Sequence, residues 1–391
     1  MLRDKTLLGL IVAVVFMMIG VGMVMPQLPQ RVVDFDGNGR LVGYIASAFA
    51  FSYLLLQVPS GRLADRIGFK PLLVLGYLLC SLTGLVFYYA TSSAMIFFAR
   101  MLQGIGEAPV WALAPALLAL RFPLAKGKVI GIYSAAMHSG LALGPILGVA
   151  LARIVNSNAV FLVYSAGCLV GAIAIYLVVD HSSKGEYQAM DRFNISAMVN
   201  LIRPWKTLLS LLGITLYGAG YGIFHTNIPV FLIVEKSFTP VDIGMFFSLF
   251  YIAISLSQII IGPLSDRFGR SIFMIAGLVT VAGGVLAMPA CSFPLIIVVL
   301  TLAGFGMGVF YLASMAYLNE IVSGSLKGTI SGAYYLFWGS GYFFGPLLIT
   351  KVVDLIDFQT AMSSYSALVL LVAIGLIMVV GSKNTVRQQR L

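Results

Sequence analysis

The stretch 61-GRLADRIGFK-70 puts Arg62, Asp65, Arg66 and Lys70 between two long apolar runs, and 262-GPLSDRFGR-270 repeats it 201 positions later. The surroundings make this pattern decisive. Only 10% of the 391 residues are charged and 60% are apolar, where a soluble domain carries roughly 25% and 45–50%. A hydrocarbon core about 30 Å thick is crossed by roughly 17–25 apolar residues in a helix. Twelve runs qualify, near 7–29, 41–61, 71–91, 94–120, 129–152, 159–179, 207–234, 243–263, 271–290, 294–319, 328–350 and 361–381. They are continuous rather than alternating, which excludes a barrel. An all-α integral membrane protein with twelve transmembrane helices is expected.

The first run follows Arg3 and Lys5 but is long and lacks a small-residue cleavage site, so it reads as a span rather than a signal peptide. Cys80, Cys168 and Cys291 show no metal-ligand spacing. No disulfide framework, metal or cofactor is expected. The net charge of +10 reports topology instead of nucleic-acid binding. Of 24 basic residues, Arg31, Arg40, Arg153, Lys236 and Lys351 fall on one side, Arg100 lies within a span, and the rest line the other side. By the positive-inside rule both termini are cytoplasmic.

Shifting the chain by 201 pairs Gly43, Ser47, Phe49, Gln57, Gly61, Leu63, Asp65, Arg66 and Gly68 with identical residues from Gly244 to Gly269. The same offset aligns 126-KGKVIGIYSAAMHSGLALGP-145 with 327-KGTISGAYYLFWGSGYFFGP-346. Two matches at one offset imply duplication: six helices in 1–179, six in 207–391, and a linker at 180–206. In the linker Ile195, Met198, Val199 and Ile202 recur at helical spacing among Arg192, Arg203 and Lys206, the pattern of an amphipathic helix on the membrane surface.

The buried-charge candidates lie in 97-FFARMLQGIGEA-108. Spacings of three and four set Arg100, Gln103 and Glu107 along one side of the fourth span, with Arg100 and Glu107 about 10 Å apart. A charge at the bilayer centre costs at least about 2.5–3.5 kcal/mol, so it faces a wet cavity or a partner. Desolvation and Arg100 pull on Glu107 in opposite senses, leaving a group able to titrate as substrate comes and goes. A permanent structural ion pair is the open alternative. His138 and His225 are secondary proton candidates, against a helix-packing role. Glu320 sits near the inner end of its span, where a snorkelling role is expected.

The second half offers rings: Tyr217, Tyr221 and Phe224, then Tyr334, Tyr335, Phe337 and Trp338, with Trp111 from the first half. With Gln103 and Glu107 they suit a small lipophilic or aromatic substrate. Gly140, Gly144 and Gly148 form a stripe that admits a close neighbour, and Pro145 bends that helix.

These motifs resemble those of the major facilitator superfamily, and more narrowly its twelve-helix drug:proton antiporters. "GRLADRIGFKP" looks like its cytoplasmic loop motif, "FFARMLQGIGEA" is similar to its helix 4 motif, "GLALGPILG" resembles its antiporter motif, and 19-IGVGMVMPQLP-29 fits the exporters' first helix. The resemblance implies two pseudo-symmetric six-helix bundles, a loop (Gly61, Arg62, Asp65, Arg66, Gly68, with a second copy at Asp266 and Arg267) that latches one conformation, and proton-coupled efflux. Asp65 is expected just past a helix end, with Gly61 and Gly68 permitting a tight reversal. The chain departs from the pattern at Val149, usually glycine, and in lacking an acid inside its first helix. Small-molecule substrate, protons and lipids are the expected partners, the protein a monomer in a plasma (inner) membrane. An exporter or facilitator of an endogenous metabolite, siderophore or lipid, or a non-transporting receptor, stays open. An enzyme does not, because no GxxxxGK[ST], HExxH or GxSxG occurs and the spans hold no acid pair.

Overall fold

The computed structural model describes residues 4–179, 203–322 and 327–388. These form fourteen α-helices and one 3-10 turn, Met288–Ala290, with no strand among the described residues. In chain order they are α1 Lys5–Val24, α2 Gln27–Asp36, α3 Gly43–Ile67, α4 Phe69–Tyr89, α5 Ser93–Arg121, α6 Lys126–Ile154 and α7 Ala159–Val178. There follow α8 Trp205–His225, α9 Asn227–Val234, α10 Pro240–Phe268, α11 Arg270–Ala287, α12 Leu295–Ile321, α13 Lys327–Leu355 and α14 Phe358–Gln388. Consecutive α1 and α2 make one crossing, as do α8 and α9. Ten crossings are apolar enough to be recognised by hydropathy alone. The other two are α3, 25 residues long, and α5, 29 residues long and carrying Arg100, Gln103 and Glu107. Twelve crossings result. The linker helix expected at 195–202 lies outside the described residues, as do the side chains of Arg62 and Asp65.

Two corrections concern the charged insert. Residues 61–67 continue α3, so Asp65 belongs to the last helical turn rather than lying past the end. Gly61 is likewise helical. The reversal is made by Gly68 alone, at φ +90°, a backbone angle that disfavours a side chain. Its repeat Gly269 does the same at φ +94° between α10 and α11. The segment 27–36 runs past the first expected span, which was set at 7–29. It coils into α2, and Arg31 turns back to donate to the carbonyls of Phe87 (2.9 Å) and Ala90 (3.2 Å) at the end of α4. Carbonyls at a helix C-terminus lack partners and carry the negative end of the dipole, so a guanidinium suits them.

The described chain resolves into two compact units, Met1–Ala189 with His225–Tyr251, and Met190–Phe224 with Ile252–Leu391. In the first, α1 packs on α6 and α7, α3 on α5, and α4 on α5 and α7. Asp4 caps α1 by accepting from the Leu7 amide (3.0 Å) and pairs with Arg121 at the end of α5 (2.9 Å). Val149 fills the space over Gly244, so the departure from the glycine motif is a packing knob. In the second unit α11 packs on α12 and α14.

The glycine stripe recurs in both units. A methyl group on Gly144 would sit 2.5 Å from the Ile19 carbonyl oxygen and 2.6 Å from Gly22 Cα, and Gly140 and Gly148 lie equally against Val15 to Met23 of α1. Gly345 lies against Ala219 of α8 in the same way. These obstacles are backbone and cannot swing aside. Gly144→Val is therefore expected to destabilise the protein by about 1–3 kcal/mol. Thermal unfolding in detergent checks this, with Gly131→Ala, whose new carbon meets nothing within 4 Å, as the unchanged control.

Candidate functional site: a buried hydrogen-bonded chain on one helix

Helix α5 starts at a Ser92 cap that accepts from the Met95 amide. It presents Arg100, Gln103, Glu107 and Trp111 at successive spacings of three and four residues. The first three are 2%, 1% and 4% exposed. Arg100 Nε donates to the Ile45 carbonyl (3.0 Å), its guanidinium lies 4.5 Å from the Phe49 ring centroid, and Nη1 donates to Gln103 Oε1 (2.6 Å). Gln103 Nε2 donates to Glu107 Oε1 (2.8 Å), and Trp111 Nε1 donates to Glu107 Oε2 (2.9 Å).

The direction of this chain is dictated by chemistry. A guanidinium only donates, so Gln103 must turn its oxygen to Arg100 and its NH2 to Glu107. Indole N–H is likewise a donor only. Glu107 therefore meets an N–H on each oxygen, an arrangement that suits the carboxylate. A proton added to either oxygen leaves lone pairs for both donors but removes the charge that strengthens the two bonds. Arg100 and Glu107 are thus linked through Gln103. Phe49 and the Ile45 carbonyl, both from α3, were not among the expected partners.

His138 is half-buried and its Nδ1 bonds the Ser134 carbonyl of its own helix (2.8 Å). His225 is buried at the α8/α9 junction with its Nε2 3.2 Å from Tyr251 Oη. In the other unit Tyr217, Tyr221, Tyr334, Tyr335 and Trp338 join one network of ring contacts. Tyr311 bridges Tyr217 and Tyr334, and Tyr342 stacks on Trp338 at 5.3 Å. Neither was expected. Phe224 is fully buried.

The second charged insert is held within its own unit. Arg270 pairs with Asp266 and donates to Glu320 (3.0 Å), while Arg267 lies over the Phe268 ring. Glu320 is half-exposed. Instead of merely snorkelling, it ties the end of α12 to the start of α11. The positions 201 before Arg270 and Glu320 hold Phe69 and Ala119, so these two charged partners are not repeated in the first copy.

Ten helical crossings of sufficient hydropathy, two further long helices and a buried charged chain on one of these define a multi-pass membrane protein of the transporter class. The chain belongs to the Major Facilitator Superfamily, whose sequence model matches residues 10–236 and again 210–390. It is 26% identical over 392 residues to Multidrug resistance protein 2 of Bacillus subtilis (strain 168), covering 96% of both chains. To the quinolone resistance protein NorA of Staphylococcus aureus (strain MSSA476) it is 24% identical, with 90% of each chain covered. The nucleoside transporter NupG superimposes with a TM-score of 0.77 at 14% identity, over 95% of this chain and 98% of that one. The human organic anion transporter MFSD10 gives 0.67 at 19%, over 95% and 99%. These two likenesses establish fold only.

Proposed function

We propose that the protein exports small lipophilic or aromatic compounds in exchange for protons by alternating access, with halves at 1–179 and 207–391 joined through 180–206. Both termini are cytoplasmic, and the membrane is a plasma (inner) membrane. The observation that carries the proton coupling is the donor-only surrounding of Glu107. Protonation there weakens two charge-assisted hydrogen bonds, so the proton and the local packing change together. Such linkage is what exchange requires, because a ligand drives a conformational equilibrium only through different interaction with its two states.

The ring network from Tyr217 to Trp338 supplies apolar surface with hydroxyl groups, suited to flat aromatic molecules. Relatives named for multidrug and quinolone resistance support the same class. The insert around Asp65, with Arg62 and Arg66, acts as the moving cytoplasmic latch, and the Asp266 copy, clamped by Arg270 and Glu320, as its static counterpart. The glycine stripe at Gly140, Gly144 and Gly148 keeps α1 and α6 sealed against leak. The test is proton movement in proteoliposomes that enclose a pH-sensitive dye. Ethidium, neutral antibiotics and aromatic acids are added in turn. At least one should drive protons across. A compound that crosses with no proton movement would make the protein a facilitator.

A further inference from the structure

A crevice of about 230 Å³ lies in the second unit, lined by Lys206, Ser271, Met274, Tyr317, Leu376 and Val379. Helices α8 and α11 each contribute their second residue to it, α12 contributes Tyr317 one turn before its end, and α14 passes alongside. The crevice therefore lies at the end of the unit that carries the second charged insert. Its surroundings suit lipid. Ile272, Ile377 and Met378, each next to a lining residue, are 51–68% exposed, and Trp205, which precedes Lys206, is 68% exposed. In a bilayer such surface meets acyl chains, and a tryptophan beside a lysine marks the level of the headgroups.

The lining divides by chemistry. Met274, Leu376 and Val379 are apolar, the first two buried, whereas Lys206, Ser271 and Tyr317 are half-buried and carry an ammonium and two hydroxyls. Among the described side chains at this end, Arg203, Lys206, Arg267 and Arg270 stand against Asp266 and Glu320, and both acids are engaged by Arg270. Neither α8 nor α11 has an acid in its first turn, so their dipoles add to the same positive sign. An ammonium has three donors, enough for Lys206 to hold a protein partner and an anion together. The volume falls below the roughly 300–1,000 Å³ that encloses a drug-sized molecule. It admits the start of an acyl chain. A cationic rim over an apolar floor at the bilayer surface fits an anionic amphiphile, which the membrane itself supplies.

We propose that Lys206, with Ser271 and Tyr317, binds the phosphate of an anionic phospholipid whose acyl chain enters over Met274, Leu376 and Val379. Such a lipid joins the start of α8 to α11, α12 and α14, and the site is independent of what is transported. In the experiment the full chain, purified in neutral detergent, is titrated with dioleoylphosphatidylglycerol or dioleoylphosphatidylcholine, and bound lipid is counted by native mass spectrometry. Wild type should bind the phosphatidylglycerol about fivefold tighter, the effect of one basic side chain near an anionic surface. Lys206→Gln should remove the preference and Lys206→Arg keep it, with phosphatidylcholine binding unchanged in both as the sign of an intact fold. Lys5→Gln, which alters an exposed lysine of the other unit, should change nothing, separating a site from general attraction to a basic protein. Glycerol phosphate, which has no chains, should not compete. Equal affinities in wild type, an undiminished preference in Lys206→Gln, or the same loss in Lys5→Gln would overturn the proposal. Competition by glycerol phosphate would overturn it in favour of a soluble anion. Should Lys206→Gln bind neither lipid, Lys206→Arg decides: a retained preference upholds the role of the charge, and a lost one refutes it.

Discussion

Glu107→Gln should abolish compound-driven proton movement, lowering its rate by at least about 100-fold, the contribution typical of a positioned proton-transfer group. The argument starts from the two N–H groups that the carboxylate accepts, from Gln103 and Trp111. A glutamine side chain has the same shape but no proton to exchange, and its NH2 must face one of those donors. It therefore mimics the protonated form permanently and frees one partner. Compound binding should survive, because the ring network of the other unit is untouched. Trp111 supplies an internal readout. In a chain whose other tryptophans, Trp205 and Trp338, are replaced by Phe, indole fluorescence should shift with pH when Glu107 is present and stay constant in Glu107→Gln. A pH response that persists would assign the proton to another group, and retained proton movement would return Glu107 to a purely structural role.

What could be read from sequence was whatever depends on composition, spacing or repetition. Uninterrupted apolar runs declare the crossings, since lipid supplies no hydrogen bonds and helices are the remaining solution once alternation is absent. Spacings of three and four declared that Arg100, Gln103 and Glu107 share a helix face. The partners of Arg100 were harder. One is the backbone carbonyl of Ile45, which every residue possesses and no sequence pattern marks. Tyr342 could have been found, standing one helical turn beyond Trp338, whereas Tyr311 enters its cluster from another helix and needs tertiary packing to be seen. The breaks in the first and second halves, α1 to α2 and α8 to α9, are both marked by proline, Pro26 at the one and Pro229, four residues after His225, at the other. Asp65 was assigned beyond its helix because charge suggests loop. A helix does not stop at charge, however, and α3 runs on until Gly68 allows the turn.

The duplicated inserts illustrate how one repeat acquires two roles. Their backbones reverse identically at Gly68 and Gly269, so the turn is a property of the ancestral unit. The ion pairs around Arg270 distinguish the second half, since the first holds Phe69 and Ala119 at the positions matching Arg270 and Glu320. These pairs are half-exposed and contribute at most about 1 kcal/mol. Their effect lies in orienting the second insert rather than in stabilising the fold.

Arg100→Met should be the most destabilising single change in the chain of buried polar groups, at about 3–5 kcal/mol, the cost of stranding one member of a buried charged network. Methionine fills the volume of the aliphatic stem, so little of this is cavity. The loss comes from three acceptors at once: the Ile45 carbonyl, Gln103 Oε1 and, through Gln103, the carboxylate of Glu107. With its oxygen released, Gln103 is free to reverse its amide, which would set oxygen against the Glu107 carboxylate. The stranded charge predicts a strong coupling. Arg100→Met combined with Glu107→Gln should be more stable than Arg100→Met alone by about 1–3 kcal/mol, whereas independent sites would add their costs. Thermal unfolding of the four proteins of this cycle decides it. Additive losses would mean that Glu107 does not depend on Arg100 for its charge, and the chain along α5 would reduce to separate hydrogen bonds.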